Sequence, residues 1–202
     1  MVKLKTERDA GQYLVDIHIG GLTPPLAYLK PIGALDPVSS ALILPEVKEP
    51  KYWQGGKLPW LDNEQLFLGA LYRGRTTFFV NTNLVKAGEI KSYKDLLGAK
   101  WKDNIILDDP RAPGPGQQMF TLFFLHRELG SELIRALAKQ GLFITDNRTL
   151  QRDGVAHGKK AILLGGADTV MEAAMDKGVP IAHLTGKDLK EGGQVALGGS
   201  VL

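Results

Sequence analysis

The chain has 202 residues, 44% of them hydrophobic and 23% charged, with a formal net charge of +3 and no cysteine. That composition suits one large globular domain or two small lobes, and it excludes disulfides, thiolate metal sites and a cysteine nucleophile. The basic residues are scattered among acids, as along Lys91, Lys94, Asp95, Lys100, Lys102 and Asp103, so the one-sided basic face of a nucleic-acid-binding protein is not expected.

The opening MVKLKTERDAGQYL has no apolar core of a signal peptide, and no run approaches the ~20 apolar residues of a membrane-spanning helix. The protein is therefore expected either to stay in the cell or to carry its export signal upstream of Met1. Leu14–Ile19 (LVDIHI) reads as a strand closed by Gly20-Gly21, and Pro24-Pro25 opens a short helix through Lys30. Pro37, Pro45, Pro50 and Pro59 then punctuate a long irregular stretch from Leu35 to Leu61.

From Thr76 the pattern is regular. Thr76–Asn81 (TTFFVN) is a β-branched and aromatic strand, and Ser92 caps a short helix. Strands are expected at Asn104–Leu107, Leu142–Thr145, Ala161–Leu164 and Ile181–Leu184. Helices are expected from Gly116 to about Leu129, Ser131 to about Gln140, Thr149–His157 and Asp168–Lys177. Strands alternating with helices of this length imply βαβ units and a parallel sheet. The helix carrying Met119, Phe120, Leu122, Phe123, Phe124 and Leu125 is apolar nearly all round, so burial on most sides is expected. Gly192–Leu202 reads as a strand-like tail that stops in mid-pattern, as in a fragment.

The ordered segments AGQYLVDIHIGG, FFVNTNLV, SYKDLLGAKWKDNIILDDPRAPGPGQQMF, GVAHGKKAILLGG, GVPIAHL and QVALGGSV resemble the family 1 extracellular solute-binding proteins of ABC importers. The resemblance runs through nearly the whole chain but covers only the middle of that family's length. It implies an α/β fold of the type II periplasmic-binding-protein, or Venus flytrap, kind. A partial first lobe would span 1–75, a crossover strand 76–81, a second α/β lobe 82–193 and a returning crossover strand 194–202. By the resemblance, the protein is a non-enzymatic binding component, periplasmic or extracellular and membrane-associated. It would capture a small anionic solute, or ferric iron with an anion, between lobes that close by hinge motion, and deliver it to a membrane permease. No cofactor is implied. An incomplete lobe exposes apolar surface, so self-association is expected.

The first candidate site is Asp109-Pro110-Arg111-Ala112-Pro113-Gly114-Pro115-Gly116-Gln117. Gly114 and Gly116 admit close backbone approach, and free amides at Gly116, Gln117 and Gln118 would meet an anion beside the positive end of a helix. Arg111 would add a two-pronged contact, or else pair with Asp108 or Asp109. The loop has no Gly-Lys-Ser/Thr ending, so it is no nucleotide P-loop.

In Gly165-Gly166-Ala167-Asp168-Thr169, Asp168 or Thr169 either caps the next helix or meets a cationic ligand group. Ferric-binding members of the family carry adjacent tyrosines in about this region. The five tyrosines here, Tyr13, Tyr28, Tyr52, Tyr72 and Tyr93, lie elsewhere, which argues against iron held by tyrosinate. Arg73 and Asn81 flank the crossover strand as further ligand candidates, with Asn81 also suited to fixing its own turn. The four histidines, His18, His126, His157 and His183, share no metal-ligand spacing. Two other functions remain open: a cytoplasmic effector-binding sensor of the same architecture, and a transferase on this scaffold, for which no base or nucleophile presents itself.

Overall fold

The structure is a computed structural model describing residues 2–69, 71–75 and 77–198, with the side chains of 2, 71–75 and 194–198 left out. The first third contains α1 (Val2–Asp9), α2 (Thr23–Tyr28), the single turn α3 (Pro45–Lys48) and β1 (Leu71–Arg75). Then follow β2 (Phe78–Asn81), β3 (Ile105–Leu107), α4 (Pro115–Leu125), α5 (Gly130–Leu137) and β4 (Phe143–Ile144). The remainder is α6 (Arg148–Ala156), β5 (Ile162–Leu164), α7 (Asp168–Met175), β6 (Ile181–Leu184) and β7 (Gln194–Gly198). The chain divides into two compact units, Met1–Arg73 with Val195–Leu202, and Gly74–Gln194. Strands β1 and β7 pair as a two-stranded sheet.

The first unit is built on few apolar contacts. Leu29, Leu35 and Phe67 form its buried cluster, with Leu4, Leu22 and Leu61 packed against it. Asp62 ties this region together: one oxygen accepts the Leu66 and Phe67 N–H groups, and the other pairs with Lys30 at 2.9 Å. The strand expected at Leu14–Ile19 does not form. Its alternation is strand-like, but a strand also needs a neighbour for its backbone groups, and no described strand pairs with it. Leu14, Ile17 and Ile19 are exposed as a result.

In the second unit five strands form one sheet in the order β4-β3-β5-β2-β6. Strands β4, β3 and β5 are parallel to one another, as expected. The wholly parallel sheet is corrected at β2, which runs antiparallel to both β5 and β6. Phe78 faces Leu164 on one side and Leu184 on the other, so β2 is an interior strand.

Alternate residues feed two cores. Phe78, Ile105, Leu107, Ile162 and Leu164 pack with Met119 and Phe123 of α4 and Leu133 and Leu137 of α5. Phe79, Ile106 and Leu163 pack with Val155 of α6 and Met171 and Ala174 of α7. Strands covered on both faces read as unbroken apolar runs, as IIL of β3 and ILL of β5 do.

Helix starts follow their local chemistry. Pro115 opens α4, where its missing N–H costs nothing. The Asn147 side chain accepts the Thr149 and Leu150 N–H groups at 3.0 Å. Ser92 caps the turn Tyr93–Leu97 as expected, and Asp95 completes a capping box with it. The expectation for α4 is corrected. It ends at Leu125, and only Gly116, Met119 and Phe123 are buried, while Phe124 is 63% and Leu125 72% exposed. Met119 and Phe123 belong to the core that α4 shares with α5 and the sheet, with Phe120 and Leu122 packed against it. No described helix is long and apolar enough to cross a membrane.

Candidate functional site

The parallel strands of the second unit end on the side where ligands of open α/β sheets bind. Three strand-to-helix connections meet there: Asp108–Pro115 after β3, Thr145–Asn147 after β4, and Gly165–Ala167 after β5. Their centre is the carboxylate of Asp108, 3% exposed. One oxygen accepts the Gly116 N–H at 2.8 Å. The other accepts Arg148 Nη1 at 2.6 Å and Gln151 Nε2 at 2.8 Å. Gln151 in turn accepts from Arg148 at 3.0 Å and donates to the Thr145 carbonyl at 2.6 Å. A buried carboxylate requires such pairing to stay charged.

Two glycines let these connections touch. A Cβ on Gly165 would lie 2.8 Å from both the Asp108 Cβ and the Gly116 Cα, and one on Gly116 would lie 2.2 Å from the Asp108 carbonyl oxygen. Gly165 also turns through a left-handed conformation, φ +82°. Its N–H and that of Gly166 donate to the Thr77 carbonyl at 2.7 and 3.0 Å. The Thr77 Oγ1 is buried and makes no hydrogen bond among the described residues.

The structure therefore brings Gly114 and Gly116 together with Asp108, Arg148, Gln151 and Gly165. Several sequence expectations are corrected. The Gly116 amide is not open to a ligand, because Asp108 takes it, and the Gln118 N–H donates to Gly114. Of the three amides, only that of Gln117 is left over among the described residues.

Arg111 does not point into this corner. Its side chain is 84% exposed and forks onto Asp109, at 2.9 Å through Nε and 2.6 Å through Nη2. Asn81, last residue of the antiparallel β2, lies at the opposite end of the strands, paired with Ile181. Its Nδ2 donates to the Val155 carbonyl at 2.6 Å and its Oδ1 accepts the Asn83 N–H at 2.9 Å, so both ends of its amide fix structure. Neither Asp168 nor Thr169 is the cap of α7: that position is Ala167. Asp168 is buried in the first turn, 5% exposed, and Thr169 is exposed. The Arg73 side chain lies outside the described residues.

Arg148, missed in the sequence, is the cation this corner does contain. Its Nη1 is held by Asp108 and Gln151, its side chain remains 36% exposed, and its Nη2 stands 3.5 Å from where a Gly114 Cβ would be. No group of three or more metal-ligating side chains occurs among the described residues. Tyr93 is fully buried, and burial pushes its phenol well above the usual tyrosine range.

The Arg111 guanidinium holds Asp109 at a pKa of about 2, against an ordinary value of 3.8. A lowered folded value means that the pairing stabilises the loop above pH 3.8 and is lost as pH falls towards 2. Arg111→Ala is expected to return the Asp109 titration, followed by carboxyl NMR, towards the ordinary value. The melting temperature at neutral pH should barely change, because the pair is solvated.

No protein-family profile matches the chain, and no curated protein matches it in sequence. Solved structures do match. The periplasmic binding protein AfuA from Actinobacillus pleuropneumoniae, with exogenous fructose-6-phosphate bound, superposes with a TM-score of 0.70 at 18% identity over 100% of this chain. Iron-bound HitA from Pseudomonas aeruginosa gives 0.64 at 18% identity, again over 100% of this chain. A two-component system protein described as mediating signal transduction gives 0.69 at 15% identity over the same 100%. The chain spans 61% of AfuA, 62% of HitA and 70% of the signalling protein. The fold is thus an α/β fold matching about three fifths of a periplasmic binding protein of the flytrap kind.

Proposed function

We propose that the chain is the solute-capturing part of a binding protein serving an ABC importer, acting outside the cytoplasmic membrane and handing its solute to a permease. The observation that carries this reading is the match of the whole chain to solute-binding structures, one holding a sugar phosphate and another iron. A small anion is the ligand the second unit suits best. The Gln117 N–H sits in the first turn of α4, beside the positive end of the helix. Arg148 supplies a fixed guanidinium with an exposed edge, and Gly114 puts no side chain against it, its Cβ position lying 3.5 Å from the Arg148 Nη2. No bond is made or broken; binding energy alone is used. The signalling protein among the matches favours a second reading, a sensor domain in which the same anion corner recognises an effector.

Thermal melting with inorganic phosphate, citrate and ferric citrate tests the proposal. At a ligand concentration of 100 times Kd the stabilisation is about 2.7 kcal/mol, or roughly 10 °C for a unit of this size. Arg148→Lys keeps the charge facing Asp108 but loses the planar fork, and is expected to abolish most of the shift. Arg111→Ala is expected to preserve it. Loss in Arg111→Ala alone would move the anion out of this corner. No shift with any of the three compounds would overturn the capture of an anion.

A further inference from the structure

The first unit contains a second concave surface, a groove of about 560 Å³ lined by Tyr52, Trp53, Gln54, Lys57 and Trp60, with Gly55 and Gly69 at its margins. Two of the three tryptophans of the chain are in it; the third, Trp101, is in the core of the second unit. We propose that this groove binds a hexose, and that Lys57 favours one bearing a negative substituent.

The platform is built before any ligand arrives. The Trp53 Nε1 donates to the Val47 carbonyl at 2.9 Å, which fixes the plane of its indole. The Trp53 carbonyl accepts the Gly56 N–H at 3.0 Å, and Gly55 and Gly56 turn the loop with φ of +81° and +67°. Trp60 is anchored by a bridge to Leu68, and the Gly69 N–H donates to the Pro59 carbonyl at 2.8 Å. An indole held as Trp53 is costs little ordering entropy on binding.

Tyr52 is 66% exposed and both indoles are half-buried, so aromatic surface lines the groove, beside Leu58 and Pro59. A pyranose satisfies such a surface: its C–H face covers a ring, while its hydroxyls meet the Gln54 amide, the Lys57 ammonium and the Tyr52 phenol. The volume falls within the range of small-molecule sites and takes one or two pyranose rings. A cationic ligand fits less well. The lining has no carboxylate but includes Lys57, and the Lys51 ammonium already stands 5.0 Å from the centre of the Tyr52 ring.

The assignment uses no residue of the anion corner and does not rest on the transport role. Its test is tryptophan fluorescence of the full chain titrated with glucose, glucose-6-phosphate and inorganic phosphate. Both sugars are expected to give a saturable change, glucose-6-phosphate about tenfold tighter than glucose, and phosphate none. Lys57→Ala should remove that tenfold preference, weakening glucose-6-phosphate much more than glucose. Trp60→Ala should weaken both sugars at least tenfold, and Trp60→Phe, which keeps a ring, should recover part of the loss. Arg148→Lys should leave the response unchanged. An absent response to both sugars in a cooperatively melting protein would overturn the proposal, as would phosphate alone reproducing it or Arg148→Lys removing it.

Discussion

Asp108→Ala is expected to destabilise the second unit by about 3–5 kcal/mol, the range for removing one partner of a buried ion pair. The substitution withdraws the acceptor of three hydrogen bonds at once. Arg148 keeps only Gln151 for its Nη1, and the buried Gly116 N–H loses its partner. Asp108→Asn is nearly as harmful, because its NH2 would oppose either the guanidinium or the amide. Urea unfolding followed by circular dichroism gives the magnitude. Pairing Asp108→Ala with Arg148→Leu is expected to cost less than the sum of the single changes, since the stranded charge goes with its partner. A loss under about 1 kcal/mol would mean that water replaces the carboxylate, and the corner would then be open rather than closed.

Gly165→Ala is expected to cost about 3–4 kcal/mol by two separable routes. The left-handed backbone costs about 1–2 kcal/mol once a Cβ is present. The remaining 1–3 kcal/mol or so comes from overpacking, because the new methyl would press on the Gly116 backbone and the Asp108 Cβ at 2.8–2.9 Å. Gly178→Ala separates the two. It has a similar φ of +75° but nothing within 4 Å of its Cβ, so only the first cost applies. Equal losses at both positions would refute the close approach of the β3 and β5 connections. At Gly116, the roughly 1 kcal/mol of helix propensity gained with alanine is opposed by contact at 2.2 Å with a carbonyl oxygen, so a net loss is expected there too.

The second unit was largely legible in the sequence because its signals are local. Ile105–Leu107 and Ile162–Leu164 are short apolar runs, and Ser92 announces a helical turn by its own side chain. Pairing partners are not local. Nothing in FFVN says that β2 enters the sheet antiparallel, and nothing in LVDIHI says that no described strand will pair with it. The apolar run of α4 gave its hydrophobicity but not how much of it α5 covers, so the exposure of Phe124 and Leu125 was unreadable. Nearness in sequence also favoured Arg111 as the cation of the loop, whereas the fold spends Arg111 on Asp109 and delivers Arg148 from the start of another helix. The one available clue was Asp108 itself, a carboxylate closing a buried strand, which needs a distant cation.

The antiparallel interior strand also sets the order in which the protein can assemble as it is made. Phe78 and Phe79 leave the ribosome long before Leu163, Leu164, His183 and Leu184, the residues they pair with. Until β5 and β6 have been synthesised, β2 has neither edge covered, although β3, α4, α5 and β4 between them can already form a local unit. Closing the sheet is therefore a late, long-range event with a large loop-closure cost. During that interval the unpaired FFV segment is the stretch of the nascent second unit most open to wrong partners.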